Sequence, residues 1–216
     1  MVLAGNEHIR GHFEVAGVRV RTVPTGIDTE RWRPREHDPG RHLVVGWTGS
    51  SSTLPHLESI AAPINEFLRE DPTRRLLVVC DEHPRLSGVD RRQIEFRRWS
   101  PVGEAPSIQD MDIGLMPQPD DAWTHGKCSL KMLQYMATGI PTICTPVGHA
   151  RELLALGNIG LPARDRSSWL AAMRALAGSQ QQRHELGSAA RSIAVSHYSL
   201  PVVAEQLAQA FREALH

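Results

Sequence analysis

Two lysines and one glutamine stand at regular spacing in the middle of the chain. Lys127, Lys131 and Gln134 occupy positions i, i+4 and i+7, which puts them on one face of a helix predicted over residues 127–138. Lysine is unfavourable in the first turns, because the helix dipole makes that end of a helix positive. We therefore predict that an anion binds at the start of this helix. Lysines on a solvated helix face are the alternative explanation.

The first residues of the same helix extend the predicted anion site. The N–H groups of the first turn have no partner inside a helix and can donate to phosphate oxygens. Gln134 lies roughly 6 to 8 Å further along the axis, at a rise of about 1.5 Å per residue, and a ribose diphosphate could bridge that separation. Gln134 is thus placed to reach the ribose of such a ligand. The residues assigned to a diphosphate here are Lys127, Cys128, Ser129, Leu130 and Lys131.

A glycine- and serine-rich segment follows the strand predicted at Leu43–Gly46. Its sequence is GWTGSSST, and a helix is predicted after it. Glycine lets the backbone approach a ligand closely, and the following helix start offers further N–H donors. The segment lacks the G-x-G-x-x-G spacing of dinucleotide-binding proteins, and helix capping alone also explains its composition. Its residues that we assign to the same diphosphate site are Gly46, Trp47, Thr48, Gly49 and Ser50.

The composition argues against several classes of partner. The 216 residues include 24 lysines and arginines and 24 aspartates and glutamates, so the formal net charge is zero. A neutral chain has no overall field that attracts nucleic acid or an anionic membrane. No apolar run reaches the roughly 18 residues that span a bilayer, and the first residues lack a signal-peptide pattern. We expect a soluble, cytoplasmic protein that has no transmembrane segment and binds no nucleic acid.

The spacing of cysteines and histidines gives no indication of a metal. Cys80, Cys128 and Cys144 stand far apart, without a C-x-x-C or C-x-x-H motif. The eleven histidines are scattered, and none pairs with a cysteine or a carboxylate at the spacing of metal ligands. We therefore predict no metal site and no cofactor.

Short apolar runs alternate with longer amphipathic patterns along the chain. This alternation predicts βαβ units, and runs that are apolar at consecutive positions predict strands with helices on both faces. The predicted fold is α/β, with one doubly wound parallel sheet over about residues 41–165. On the helix at 127–138, the residues expected to face the core are Leu130, Leu133 and Ala137. The predicted strands are Arg19–Val23, Leu43–Gly46, Leu76–Cys80, Ile94–Phe96, Ile113–Met116 and Thr142–Thr145.

The two ends of the chain are predicted to lie outside this sheet. Residues 1–33 form a strand–helix–strand unit that is too short to bury a core of its own. Residues 34–40 are rich in proline and charge and predict a linker. The main domain then covers 41–198, and an amphipathic helix covers 199–216. The last helix, or a second copy in a homo-oligomer, should cover the apolar side of the first unit, formed by Val2, Leu3, Ile9, Phe13, Val20 and Val23.

Two segments carry a family resemblance, GKCSLKMLQYM and MATGIPTICTPVG. Together with VPTGIDTERWRP and VVGWTGSSST further upstream, they resemble the C-terminal half of retaining GT-B glycosyltransferases of group 1, also called family 4. The resemblance covers nearly the whole chain. It implies a Rossmann-like domain that binds a nucleotide sugar, preceded at residues 1–33 by the end of an acceptor-binding domain and followed by a helix that crosses back.

The chain departs from the pattern of this family at several positions. In such enzymes two glutamates, separated by seven residues, contact the donor sugar and the ribose, whereas here Gly126 and Gln134 stand at those positions. The Arg and Lys that usually follow the first strand of the domain are also missing, and Lys127 and Lys131 are the predicted substitutes. We assign the sugar contact to Asp120, Asp121, His125 and Gly126, and the nucleobase contact to Trp99 and Pro101.

The resemblance predicts transfer of a sugar from a nucleotide-sugar donor to an acceptor with retention, and this chain would supply the donor-binding half. Catalysis would rest on electrostatic stabilisation of the departing diphosphate, and no catalytic residue is assigned. Two alternatives stay open. One is a nucleotide-binding module that transfers nothing without an acceptor domain, and the other is a nucleotide-sugar epimerase with the GT-B fold.

Overall fold

The computed structural model describes residues 1–35 and 40–215. Part of the predicted linker lies outside the described residues, namely Glu36, His37, Asp38 and Pro39, and so does His216 at the end of the predicted last helix. The described chain begins with strand β1 (Val2–Ala4), helix α1 (Glu7–Val15) and strand β2 (Val20–Thr22). β1 and β2 pair in parallel as a sheet of their own, which confirms the predicted β-α-β unit.

A second sheet forms the centre of the molecule. Its strands all run parallel and are β3 (Val44–Thr48), β4 (Arg75–Cys80), β5 (Ile94–Arg98), β6 (Ile113–Met116), β7 (Thr142–Cys144) and β8 (Gly160–Pro162). Their spatial order is β5-β4-β3-β6-β7-β8. The chain starts this sheet in the middle, winds to one edge, and returns to lie beside β3 as β6. The predicted doubly wound parallel sheet is confirmed.

Helices connect and follow these strands. They are α2 (Leu54–Glu58), α3 (Ala61–Arg69), α4 (Glu104–Gln109), α5 (Ala122–His125), α6 (Leu130–Thr138), α7 (Gly148–Ala155), α8 (Arg166–Gly178), α9 (Gln180–Ile193) and α10 (Leu200–Ala214). Short 3₁₀ turns at Ser51–Thr53 and Arg91–Gln93 precede α2 and β5, and a π-helical turn at Ala194–Tyr198 joins α9 to α10. Four helices begin at a side chain that accepts the backbone N–H three residues on, and these caps are Asn6, Asp121, Asp165 and Ser179.

Alternate residues of the central strands supply two separate cores. In β4, Leu76 and Val78 belong to one core, while Leu77 and Val79 belong to the other. Successive side chains of a strand point to opposite faces, so both faces of this sheet are buried under helices. This explains why the strands are apolar at consecutive positions. The large side chains of the two cores include Trp47, Phe67 and Trp169 in the first, and Tyr135, Ile108 and Met111 in the second.

The loops that leave β3 and β6 border a crevice at the carboxyl edge of the sheet. The two strands are neighbours, yet the chain leaves β3 towards β4 and leaves β6 towards β7. Connections that diverge in this way open a crevice between them, where ligands of α/β proteins bind. We call residues 49–53, which follow β3, the serine turn. We call residues 125–130, which end at the start of α6, the lysine turn.

Several boundaries differ from the sequence prediction. β3 continues to Thr48 and does not end at Gly46, because Trp47 still packs into a core. α6 begins at Leu130 and not at Lys127, since Ser129 takes the left-handed conformation with a φ of 51°. Lys127 therefore precedes the helix that carries Lys131. β8 has no counterpart among the predicted strands, because two of its three residues, Gly160 and Pro162, are disfavoured in strands.

The first unit is joined to the last helix. The N–H of Ile27 donates to the carbonyl of Tyr198 over 2.7 Å, and the N–H of Leu200 donates to the carbonyl of Ile27 over 3.1 Å. Arg21 forms an ion pair with Glu213 in the last turn of α10. Among the six apolar residues predicted to need cover, Leu3 is exposed and the others are half-buried. The last helix thus reaches this unit, and contact with a second copy stays a prediction.

Candidate functional site

Two adjoining pockets open at the crevice between β3 and β6. The larger has a volume of about 520 Å³ and is lined by Thr48, Gly49, Ser50, Asp81, Trp99, Glu104, Leu130, Lys131 and Gln134. The smaller has a volume of about 300 Å³ and is lined by Ser50, Thr53, His56, Met116, Pro117, Gln118, Lys127, Cys128, Ser129, Leu130 and Lys131. Ser50, Leu130 and Lys131 border both pockets. They therefore mark the junction between the two.

Lys131 is a half-buried cation at this junction. Its Nζ lies 3.2 Å from Thr53 Oγ1 and 4.7 Å from the centroid of the Trp47 ring. Within the described residues it forms no salt bridge. Burial, together with the charge of Lys127, lowers the pKa of Lys131 to about 8. A desolvated cation without a carboxylate gains most from a ligand that brings negative charge.

Lys127 adds a second positive charge, in the smaller pocket. Its Nζ lies 5.9 Å from the centroid of the Trp123 ring. His56 lines the same pocket, and burial together with the charges of Lys127 and Lys131 lowers the pKa of His56. A histidine with a lowered pKa is neutral at pH 7, so the two lysines supply the positive charge of this pocket.

The lysine turn holds backbone donors that the protein itself does not use. In the described part of the chain, the N–H groups of Cys128, Ser129 and Leu130 donate to no protein acceptor. All three residues line the smaller pocket. The left-handed conformation of Ser129 is uncommon for a residue other than glycine, and it separates this turn from the regular helix that follows. Unused N–H groups beside two lysines form a site suited to an anion such as a diphosphate.

The serine turn, in contrast, already uses backbone donors inside the protein. The N–H of Gly49 donates to the carbonyl of Val79 over 3.0 Å, and the N–H of Ser51 donates to Asp81 Oδ1 over 2.6 Å. A Cβ on Gly49 would lie 2.3 Å from the Trp47 ring, so that only glycine fits there. The serine turn therefore lines the site, but fewer of its backbone N–H groups than those of the lysine turn are available to a ligand.

Two residues assigned to the diphosphate from the sequence do not reach the pockets. Gly46 and Trp47 lie within β3 and not in the turn after it. A Cβ on Gly46 would lie 2.2 Å from Met111 Sδ, and the Trp47 side chain is 1% exposed. Neither residue lines either pocket, and their contact with a diphosphate stays a prediction. Thr48 does line the larger pocket, and its buried Oγ1 has no hydrogen-bond partner among the described residues.

The larger pocket contains the residues assigned to the ribose and one of the two assigned to the nucleobase. Gln134 lines it and is 6% exposed, and Trp99 lines it from the loop after β5. Pro101 lines neither of these pockets, and its carbonyl accepts a hydrogen bond from Arg31. The Leu130 side chain is 50% exposed at the pocket junction, so the expectation that it faces the core is wrong. Leu133, one turn further along α6, is buried as expected.

The residues assigned to a donor sugar lie on the loop beside the smaller pocket and do not line it. Asp121 caps α5, with its Oδ1 accepting the Thr124 N–H over 2.7 Å. His125 Nε2 lies 2.7 Å from Asp120 Oδ1, and Asp120 Oδ2 lies 3.8 Å from Arg164 Nη1. These contacts shape the loop that leads to Lys127. Contact of a sugar with Asp120, Asp121, His125 and Gly126 stays a prediction.

Seven residues that line the two pockets were not among the predicted site residues: Thr53, His56, Asp81, Glu104, Met116, Pro117 and Gln118. Asp81 directly follows β4, so the rule that ligands bind at the carboxyl ends of parallel strands could have indicated it. Its carboxylate accepts hydrogen bonds from the hydroxyl and the N–H of Ser51, which lower the pKa of Asp81. Glu104 is half-buried in the first turn of α4, and no motif in the sequence points to it.

Within residues 1–35 and 40–215, no group of three or more histidine, cysteine or acidic side chains could hold a metal ion. Over the same ranges, no helix is both long and apolar enough to cross a membrane. Cys80, Cys128 and Cys144 are free thiols, of which Cys80 and Cys144 are buried.

A family of known proteins and curated relatives match this chain in sequence. The family of glycosyl transferases group 1 matches residues 44–179, which is more than half of the chain. The D-inositol 3-phosphate glycosyltransferase of Nocardia farcinica is 25% identical over 242 residues, covering 100% of this chain and 52% of that protein. The chain thus spans about half the length of the curated relatives it matches.

Solved structures share the fold. Anabaena Alr3699/HepE in complex with UDP-glucose superposes with a TM-score of 0.78 at 15% identity, covering 99% of this chain and 64% of that one. The C-terminal domain of the group 1 glycosyl transferase LpcC from Francisella tularensis superposes with a TM-score of 0.63 at 18% identity, covering 81% and 100%. At these identities the likeness establishes the fold alone. Through the family match over residues 44–179, the chain belongs to the group 1 glycosyl transferases.

Proposed function

We propose that this chain binds a nucleotide-sugar donor in the two adjoining pockets and supplies the donor half of a retaining sugar transfer. The observation that carries the proposal is a concentration of unpaired positive groups at one edge of the sheet: Lys127, Lys131 and the free N–H groups of residues 128–130. A diphosphate brings the negative charge and the acceptor oxygens that these groups lack. Membership of the group 1 glycosyl transferases supports sugar transfer as the class of reaction.

In this proposal the donor extends across both pockets. The diphosphate lies at their junction, beside Lys131. The nucleoside lies in the larger pocket, where the Gln134 amide binds a ribose hydroxyl and the Trp99 ring packs on the base. The sugar lies on the side of the smaller pocket, towards Asp120 and His125. The binding of UDP-glucose by the Anabaena protein of the same fold supports this class of donor.

Sugar transfer breaks the bond between the anomeric carbon and a diphosphate oxygen and forms a bond between that carbon and a nucleophilic atom of the acceptor, which gives up its proton. The diphosphate keeps the electron pair of the broken bond and leaves with negative charge on that oxygen. We propose that Lys127, Lys131 and the free amides of the lysine turn stabilise this charge. Groups that are positioned before the reaction act strongly, because they need no reorganisation as the charge develops. Since two cations and three N–H groups would surround the leaving oxygen in this proposal, we propose that the step uses no metal and no other cofactor.

The acceptor is proposed to bind to a separate half of the enzyme. The matched relatives are about twice as long as the aligned segment, and the first unit of this chain docks on the lysine turn. We propose that residues 1–33 correspond to the end of an acceptor-binding half. On this view the acceptor approaches the donor sugar from the side of α1.

Calorimetric titration with UDP, GDP and ADP, beside uridine, guanosine and adenosine, tests the donor site. We expect at least one diphosphate to bind tenfold or more tightly than its nucleoside, because only the diphosphate pairs with Lys127 and Lys131. Equal affinities for every diphosphate and its nucleoside would contradict the proposal.

Incubation with the corresponding nucleotide sugars then separates transfer from the two alternatives. Transfer predicts that the sugar stays bound to its nucleotide until an acceptor-binding half is supplied. A change of the sugar's configuration without any acceptor would favour the epimerase. Donor binding without transfer, even in the presence of an acceptor-binding half from a relative, would favour a binding module.

A further inference from the structure

Asn6 connects the first unit of the chain to the lysine turn through a buried amide. Its Nδ2 donates to the carbonyl of His125 over 3.1 Å and to the carbonyl of Lys127 over 3.0 Å. Its Oδ1 accepts the N–H of Ile9 over 2.9 Å and so caps α1. The residue is 1% exposed. One side chain thus forms hydrogen bonds with two carbonyls of the turn and with one N–H of the helix, and it is buried away from water.

The residues on either side of Asn6 fit the same turn closely. A Cβ on Gly5 would lie 2.6 Å from Cys128 Sγ, so a side chain there would displace the Cys128 thiol. The rings of His8 and His125 lie 5.4 Å apart between centroids. The segment that leads into α1 therefore packs directly against the residues that carry the unused N–H groups.

The bond from Asn6 to the carbonyl of Lys127 also fixes the direction of an N–H group. The carbonyl of Lys127 and the N–H of Cys128 belong to one peptide unit, which is planar and trans, so they point in opposite directions. Holding the carbonyl at Asn6 therefore turns the Cys128 N–H away from the first unit. This N–H has no acceptor within the described chain, and Cys128 lines the smaller pocket.

We infer that Asn6 is a positioning residue for the diphosphate: it holds the lysine turn in the conformation that presents the Cys128 N–H and the Lys127 side chain to the ligand. The inference rests on the proposed function. According to this inference the first unit, residues 1–33, contributes to donor binding, although no residue of that unit lines either pocket. A free turn would lose conformational entropy when it bound the ligand, and the Asn6 bonds reduce that loss beforehand.

The variants Asn6→Asp and Asn6→Ser test this role. Both keep an oxygen that can cap α1, and both remove the amide donor that reaches the turn. In Asn6→Asp a carboxylate would also face two carbonyl oxygens. Val15→Ala, at the exposed end of α1, is the matched control. Affinities are measured for whichever of UDP, GDP and ADP the wild type binds most tightly, and for the matching nucleoside.

We expect both Asn6 variants to lose at least tenfold in affinity for the diphosphate and to bind the nucleoside within twofold of the wild type. The control should match the wild type for both ligands. An unchanged diphosphate affinity would overturn the inference. An equal loss for diphosphate and nucleoside would overturn it as well, because a general loss of structure affects both ligands.

Hydrogen exchange of residues 124–130 in the ligand-free protein provides a second, independent readout. We expect exchange in this segment to rise at least tenfold in Asn6→Asp and to stay unchanged in Val15→Ala. If the wild type binds no nucleoside diphosphate, the proposed function fails, and this measurement still decides whether Asn6 holds the turn. Unchanged exchange in Asn6→Asp would overturn the positioning role on its own.

Discussion

The serine turn and the lysine turn face each other across the same crevice, and they differ in what they leave for a ligand. The serine turn leads from β3 towards α2, the lysine turn leads from α5 to α6, and both contain glycine and serine. The serine turn donates N–H groups to Val79 and Asp81, whereas the N–H groups of residues 128–130 have no protein acceptor among the described residues. Composition alone therefore does not identify a phosphate site. What matters is which donors the fold leaves unused.

The largest effect should come from removing both cations beside the lysine turn. The double variant Lys127→Ala/Lys131→Met should lose at least a hundredfold in affinity for a nucleoside diphosphate, about 3 kcal/mol, because two charge-assisted contacts disappear. The control is Ser51→Ala/Ser52→Ala in the serine turn, which should change the affinity less than threefold. Calorimetric titration measures both. A serine variant as weak as the lysine variant would remove the difference between the two turns.

A smaller effect is expected at Gln134, in the larger pocket. Gln134→Leu should lose more than tenfold in diphosphate affinity, since it can no longer bind a ribose hydroxyl. Gln134→Glu should stay within tenfold, or about 1.4 kcal/mol, because it gains a stronger acceptor but adds a charge that repels the diphosphate. Gln181→Leu on the exposed surface of α9 is the control. Equal titration results for wild type and Gln134→Leu would show that the larger pocket does not hold the ribose.

The smallest effect concerns pH and the single charge of Lys131. Its pKa lies near 8 in the folded protein and 10.5 is the ordinary value, so the side chain loses its proton as the pH rises through 8. Diphosphate affinity should therefore fall by about fivefold between pH 7.5 and pH 9. Titrations across this range should show the decrease in the wild type and not in Lys131→Met. A pH-independent affinity in the wild type would place the diphosphate away from Lys131.

The same lysine predicts an opposite trend for stability. Between pH 8 and pH 10.5 the unfolded chain binds more protons at this site than the folded chain does. The free energy of unfolding in the absence of ligand should therefore rise with pH over this range. Denaturant unfolding of the wild type and of Lys131→Met should differ in this slope. A parallel pH dependence of the two proteins would contradict the burial of an unpaired charge.

The sequence predicted most of the central sheet because the apolar pattern of a buried strand lies within a few consecutive residues. A strand such as Leu76–Cys80 is apolar at every position, and burial on both faces requires that pattern. The family motif likewise placed Lys127 and Gln134 beside one crevice. The predicted end of β3 at Gly46 was wrong because the end of a strand depends on packing: Trp47 continues into the core, although its flanking glycines suggest a turn.

Other parts of the site depend on contacts between distant segments, which spacing along the chain does not contain. The hydrogen bonds of Asn6 join residues 119 and 121 positions apart. The surroundings of Lys131 also depend on a distant segment. Trp47 and Thr53 pack around its side chain, and among the described residues no carboxylate pairs with it. The free N–H groups depend on the left-handed turn at Ser129, and serine at that position gives no local signal for such a conformation.

The bridge between Ile27 and Ser199 has a consequence for how the protein forms during synthesis. A ribosome adds about 5 to 20 residues per second, so Ile27 waits roughly 10 to 30 s before Ser199 has been made. Contacts between such distant residues also form slowly, because a long loop must close first. The first unit and α10 should therefore join last, after the central sheet has formed. Until then the apolar side chain of Ile27 is open to chaperones.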